Sequence, residues 1–373
     1  MRTRRKFTPK KPRPKAPVKK PVALERPPAK IWTLSALEGT QDIVRGELAR
    51  RFGTECSLVS HARTDEVHFT YRDAAHNLLS LTTAQTLLRR KDFAVTRPRT
   101  LLSPEHTAAL TELIRETQGV KGLAAVASFR FDAAGSGSPT MLRIAEQLEA
   151  QTGLPFDPES GDCVITFRPG KTGWEVLCRV GSRPLATRSW RKVNYRGSLN
   201  AAIASCMIEL TRPKQGDRYL NIMCGSGTLL IERLLRLPTR AAAGIDVSDT
   251  AIAACRKNVE AAGLTDQVQL IAGDARAVEF PDASFDVVTS DLPYGEHHGS
   301  RASNVPLYRD SLREAARVCR PGGIMVLLTQ DTASFKTALS DIQDRCHVVD
   351  ERTIVQREYH PLCVTLKMRA SPT

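Results

Sequence analysis

The sequence predicts an α/β protein whose C-terminal half is a doubly wound, mostly parallel sheet and whose N-terminal half is built from smaller α+β modules. Two observations lead there. From about Ser198 onward, near-continuous apolar runs alternate with amphipathic stretches, the pattern of parallel strands covered by helices on both faces. Before that point the apolar runs are shorter and alternate with polar residues, as half-exposed strands do.

Residues 1–30 come first and differ from the rest. They carry twelve Lys and Arg against Glu25, which is +11 of the chain's formal charge of +14, together with seven prolines. With almost no large apolar side chains they cannot offset the entropy of ordering, so a disordered basic arm is expected. Each cation placed on a phosphate would release a counterion, so the arm suits a polyanion; a mere solubilising tail is the bland alternative. The other 343 residues carry only +3.

Residues 31–100 are expected as one module, with a strand at 31–34, a helix at 41–52 and alternation again at 66–71. Residues 101–188 form a second, with helices near 104–116 and 140–151 and strands at 125–131, 163–168 and 174–180. Residues 189–373 are the sheet domain, with strands at 219–222, 242–246, 268–273, 285–291 and 323–329. Helices at 228–237, 248–262 and 307–319 fall between them, stopped by Pro238, Gly263 and Pro321. Right-handed crossovers then wind the sheet on both faces. No apolar run approaches the roughly 18 residues a membrane span needs. Nine scattered cysteines without a CxxC pair or His at ligand spacing predict buried reduced thiols, a cytoplasmic location and no metal.

The chemistry is expected at the strand ends of the third module. The first strand runs through Asn221, Cys224, Gly225, Ser226 and Gly227 into a helix starting at Thr228, and the glycines let backbone pass close to a ligand. Asp246 closes the second strand, 21 residues past Gly225, where a carboxylate accepts from a ribose hydroxyl pair. Asp274 and Ala275 close the third. Together these describe an adenosine pocket. A dinucleotide fits it poorly, because the GxGxxG pattern needs glycine where Leu230 stands.

The fourth strand ends in Asp291, Leu292, Pro293 and Tyr294, followed by Gly295. This resembles the (Asp/Asn/Ser)-x-Pro-(Tyr/Phe) signature of S-adenosylmethionine-dependent amino methyltransferases. The lone pair of an exocyclic amine is delocalised into the base, so acceptors must hold its N–H groups; the Asp291 carboxylate and the Leu292 carbonyl supply them. Pro293 stiffens the turn and Tyr294 offers a ring for stacking. Ring-carbon methylation of cytosine needs a cysteine nucleophile, and this loop has none.

With these motifs in order, residues 190–373 look like a class I methyltransferase domain, which implies a Rossmann-like, mostly parallel seven-stranded sheet. Residues 181–188 and 195–202 are similar to the junction before this domain in THUMP-containing RNA methyltransferases. Residues 32–52 resemble their ferredoxin-like segment, and residues 127–131 and 161–180 their THUMP module. The resemblance implies S-adenosyl-L-methionine as cofactor and methylation of a guanine 2-amino group in tRNA, at acceptor-stem position six, with the THUMP module gripping the tRNA 3′ end. No membrane, metal or obligate protein partner is implied. The family usually has Asp-Pro where this chain has Asn221-Ile222, which removes a negative charge near the sulfonium and implies weaker cofactor affinity.

Between Arg168 and Arg196 the chain is net +7, and Arg168, Lys171, Arg188, Arg191, Lys192 and Arg196 are expected to line the RNA path, a solvated linker being the alternative. His297 and His298 are read as a plain loop pair, and Arg301 as a phosphate contact. Three other functions share these motifs: an rRNA guanine-N2 methyltransferase, an adenine amino methyltransferase, and a catalytically silent RNA-binding protein.

Overall fold

A computed structural model describes residues 30–293 and 301–370, with the side chains of residues 301–303 excepted. The first sheet is built from β1 (Ile31–Ser35), β2 (Cys56–Val59), β3 (Glu66–Tyr71), β4 (Thr86–Phe93), β5 (Phe129–Asp132), β6 (Cys163–Pro169) and β7 (Trp174–Arg179). The helices α1 (Gln41–Phe52), α2 (Pro104–Gln118) and α3 (Pro139–Thr152) accompany it. Strand order is β2-β3-β1-β4-β7-β6-β5, with only β5 and β6 parallel. The expected modules 31–100 and 101–188 are therefore joined edge to edge: β4 pairs with β7 from Leu88↔Arg179 to Phe93↔Trp174, and one sheet runs through both. Sequence separation conceals such a pairing. Local signals were clearer. Ser103 and Ser138 cap α2 and α3 by accepting from His106 and Met141 amides, each followed by proline at the first helical position.

The second sheet contains β8 (Arg218–Ile222), β9 (Ala241–Asp246), β10 (Gln269–Ala272), β11 (Phe285–Asp291), β12 (Cys319–Thr329), β13 (Cys346–Thr353) and β14 (Leu362–Met368). Its helices are α4 (Ala201–Leu210), α5 (Thr228–Arg236), α6 (Asp249–Ala261), α7 (Arg301–Val318) and α8 (Thr332–Leu339). The order β10-β9-β8-β11-β12-β14-β13 is parallel through β12 and ends in an antiparallel pair. Direction of winding reverses between β8 and β11, which opens a crevice at their carboxyl ends. Helix α7 begins six residues before the expected start, with Pro306 inside it.

Apolar clusters cover both faces of this sheet. One includes Leu220, Val288, Tyr308, Leu312 and Met325; the other includes Tyr219, Leu230, Ile231, Cys255 and Val326. All nine cysteines are free thiols and eight are buried. Among the described residues no helix is long and apolar enough to cross a membrane. The two halves also touch: Arg188 donates to the Thr82 carbonyl at 2.7 Å and to Glu232 of α5 at 2.8 Å, and Gln85 bonds Asn200 at 3.1 Å.

Candidate active site

The carboxyl ends of β8 to β11 surround a cavity of about 380 Å³. Asn221, Cys224, Gly225, Ser226, Thr228, Asp246, Asp274, Ala275, Asp291, Leu292 and Pro293 all line it, so the structure brings the expected strand-end residues together. Gly227 is the exception. It stands behind the wall at φ +86, where an added Cβ would lie 2.5 Å from Cys255 Sγ; it lets the turn pack tightly on α6. Tyr294, Gly295, His297 and His298 lie outside the described residues, as does the side chain of Arg301.

Each carboxylate here has a different environment. Asp246 Oδ2 accepts from the Gly225 amide at 2.8 Å and Oδ1 from the Ser248 amide at 2.9 Å, so backbone donors fix it at the rim with lone pairs to spare. Asp274 is clasped by its neighbour Arg276, whose hydrogen bonds lower its pKa. Asp291 accepts no hydrogen bond from the described residues, and burial alone pushes its pKa up to about 7. Its backbone is held firmly: the Leu292 amide donates to the Leu328 carbonyl at 2.8 Å, and Tyr308 donates its hydroxyl to the Pro293 carbonyl.

Asn221 departs from the pattern that its family resemblance suggests, and its geometry explains how it is tolerated. Nδ2 donates to the carbonyls of Thr289 at 3.1 Å and Ile222 at 3.2 Å, an arrangement a carboxylate could not make. Its Oδ1 is buried without a partner and belongs to the cavity wall. Asn304 of α7 repeats the arrangement, with Nδ2 on Asp331 at 2.9 Å and an unpaired buried Oδ1 beside the same cavity. Buried acceptors without partners among the described residues are costly, and both residues border the cavity. Cavity size, Gly-rich turn, rim carboxylate and spare acceptors suit S-adenosylmethionine, with its ribose diol and ammonium group.

In the wall from Tyr195 to Leu199 only Arg196 is expected from sequence, on the RNA path and not at this cavity. Ser198 Oγ lies 2.8 Å from Ser226 Oγ, Arg191 donates to the Leu199 carbonyl at 2.8 Å and to Thr228 Oγ1 at 3.1 Å, and Asn258 Oδ1 receives the Lys192 and Val193 amides at 2.9 Å. Asn258 is a mid-helix polar residue between Lys257 and Val259, the one faint signal of this role.

A second, wider cleft of about 1130 Å³ shares Gly197, Ser198, Leu199 and Asp291 with the first. Its other lining residues include Arg183, Arg188, Arg191, Lys192 and Arg357, and Asp291 is its one acid among the described residues.

The expected basic strip divides here. Lys171, Lys192 and Arg196 are exposed, Lys171 in the β6–β7 turn and Arg196 at the cofactor-sized cavity. Arg168 turns inward instead, to Glu66 at 2.7 Å and Glu175 at 2.9 Å; although burial opposes it, Arg168 and His68 bring the Glu66 pKa down to about 2. Arg188 and Arg191 likewise spend their guanidinium groups on Glu232, Thr82, Leu199 and Thr228. Three of the six are ties within the protein, because each found acceptors far away in sequence.

A parallel sheet with this order, a Gly-rich first turn, a rim aspartate and Asp-Leu-Pro at the fourth strand is a class I methyltransferase fold. Residues 188–355 match the family model described as UPF0020, an RMKL-like methyltransferase domain. The tRNA (guanine(6)-N2)-methyltransferase of Thermus thermophilus is 29% identical over 312 residues, covering 81% of this chain and 89% of that protein. The U6 snRNA (guanine-N(2))-methyltransferase THUMPD2 of Mus musculus is 34% identical over 150 residues, 40% of this chain and 27% of that protein. The chain thus spans little more than a quarter of the length of the first curated relatives it matches. Among solved structures, TrmN from Thermus thermophilus superposes with a TM-score of 0.73 at 22% identity, covering 91% of this chain and 99% of that one.

Proposed function

We propose that this protein transfers a methyl group from S-adenosylmethionine to the exocyclic 2-amino group of a guanosine in tRNA, at acceptor-stem position six, giving N(2)-methylguanosine. The observation that carries the reading is the position of Asp291, a carboxylate without a partner among the described residues where the cofactor-sized cavity meets the basic cleft. The names of the relatives support guanine-N2 chemistry on RNA. S-adenosylmethionine supplies an electrophilic methyl on a sulfonium. Asp246 holds the ribose, and Asn221 and Asn304 border the cofactor. Asp291 and the Leu292 carbonyl accept the amine N–H groups and free the lone pair for in-line attack, and the Asp291 carboxylate takes up the released proton. Tyr294 supplies a stacking face, and rate comes from positioning without a covalent nucleophile.

The N-terminal sheet then serves as the THUMP-type module that grips the tRNA 3′ end, with Lys171, Lys192 and Arg196 on phosphates. A base within the stem must be flipped to reach Asp291. The protein works in the cytoplasm without metal. The test is methyl transfer to tRNA followed by mass-spectrometric nucleoside mapping. The native protein is expected to place one N(2)-methylguanosine in the acceptor stem, and Asp291→Ala to lower turnover at least about 100-fold with tRNA affinity within twofold. Methylation by the variant at the native rate removes Asp291 from the chemistry, and preferential methylation of a U6 snRNA transcript moves the substrate to snRNA.

A further inference from the structure

We propose that the tip of the hairpin joining β13 to β14 is the far wall of the substrate site, where Tyr359 stacks on the base presented to Asp291 and Arg357 holds a neighbouring phosphate. This rests on the reading of the cleft as the RNA path and adds residues that no motif pointed to. Tyr359 is the one aromatic residue among those lining the cleft, and 45% of it is exposed. Its ring makes no aromatic contact and its hydroxyl no hydrogen bond with the described residues, so a flat ligand face would meet it unopposed.

The tip is built rather than loose. Gln356 and Tyr359 exchange both backbone hydrogen bonds, at 2.8 and 2.9 Å, and the Ile354 amide donates to the Pro361 carbonyl at 2.9 Å. From the other side the Val355 amide donates to the Glu38 carbonyl at 3.0 Å, so the N-terminal half anchors the hairpin directly. Within this turn Arg357 is held at φ +54, a conformation that disfavours every side chain except glycine. The arginine is exposed on the cleft without an ion pair among the described residues, so its guanidinium is open to a phosphate. Arg183 and Lys192 are exposed on the same cleft, so a backbone can be followed by charge while one base is taken by a ring.

The full-length protein tests this with Tyr359→Ala, Tyr359→Phe and Arg357→Gly. Loss of the ring is expected to lower kcat/KM for tRNA about tenfold or more, the range of one base–aromatic stack, with S-adenosylmethionine affinity by calorimetry unchanged. Tyr359→Phe keeps the ring and should stay within twofold of native. Glycine suits the backbone at position 357, so Arg357→Gly keeps the turn and removes only the cation; the slope of log affinity against log salt should become shallower by about one. A Tyr359→Ala protein within twofold of native overturns the proposal while leaving the methyltransferase reading intact. If the native protein methylates no RNA, the earlier reading fails. Equilibrium binding of a single-stranded purine-rich RNA then decides the tip separately: a roughly tenfold weaker Tyr359→Ala supports the base contact, and equal affinity overturns it.

Discussion

Both sheets have seven strands and pair charges across them, but they differ in what they leave at their edges. In the N-terminal sheet charged side chains find one another across strands: Arg168 meets Glu66 and Glu175, Arg90 meets Glu175 at 3.0 Å, and His68 meets Glu66 at 2.6 Å. In the C-terminal sheet Asp286 of β11 likewise pairs with Arg218 of β8 and Arg320 of β12, but the carboxyl ends of the strands line a cavity instead. Asp291 and the Asn221 and Asn304 oxygens stay without partners among the described residues. Cross-strand pairing consumes charge within both sheets; the end of β11 leaves Asp291 without such a pair among the described residues. The first arrangement serves stability, the second chemistry.

The largest effect that sharpens this contrast is expected from pH at Asp291. Its pKa of about 7 lies well above the ordinary 3.8, so near neutrality the acceptor is only partly ionised. Activity that needs the carboxylate should rise as pH climbs through about 7, seen as an acid limb in kcat/KM. Asp291→Asn should lose that limb together with at least about 100-fold in rate. Stability runs the other way. Between about pH 4 and 7 the folded state binds the proton that the unfolded chain has released, so stability falls as pH rises across that window. The asparagine variant should flatten this fall. A native profile without a limb near 7 breaks the assignment.

Arg168→Ala probes the opposite sheet. It leaves Glu66, whose side chain is 6% exposed, with His68 but without its guanidinium, and should destabilise the fold by about 3 kcal/mol in denaturant unfolding. Turnover per folded molecule should stay near native. Lost turnover in a fully stable Arg168→Ala protein would place this arginine on the substrate.

The same contrast explains what was legible in the sequence. Gly225, Asp246, Asp274 and Asp291 could be found because a strand, its tip and the next helix are contiguous, so a local pattern places them on one rim. The core strands of the C-terminal sheet were readable from their apolar runs for a similar reason. Distance hid the rest. Arg168 and Glu66 are 102 residues apart and Arg188 and Glu232 are 44 apart, so no reading of a basic run could tell paired cations from free ones. Asn258 and Asn304 reach the site from helices whose pattern only reports burial, and Tyr359 sits on a hairpin whose meaning depends on a contact with Glu38.

Lys192 and Arg188 provide the finest version of the comparison, because they stand four residues apart in one basic run. Lys192 is exposed on the cleft, and among the described residues only its backbone amide donates, to Asn258 and the Trp190 carbonyl. Arg188 is committed to Glu232, Thr82 and Leu185. A free cation on a phosphate releases about one counterion, so Lys192→Ala should weaken tRNA binding severalfold and make the salt slope shallower by about 0.9, with stability changed by less than about 0.5 kcal/mol. Arg188→Ala should leave the salt slope alone and lower stability instead, since Glu232 is 5% exposed and would keep only Ser205. If filter binding across a salt series gives both variants the same shallower slope, with equal melting temperatures, the internal tie drawn for Arg188 does not hold in solution, and the division between spent and free cations loses its basis.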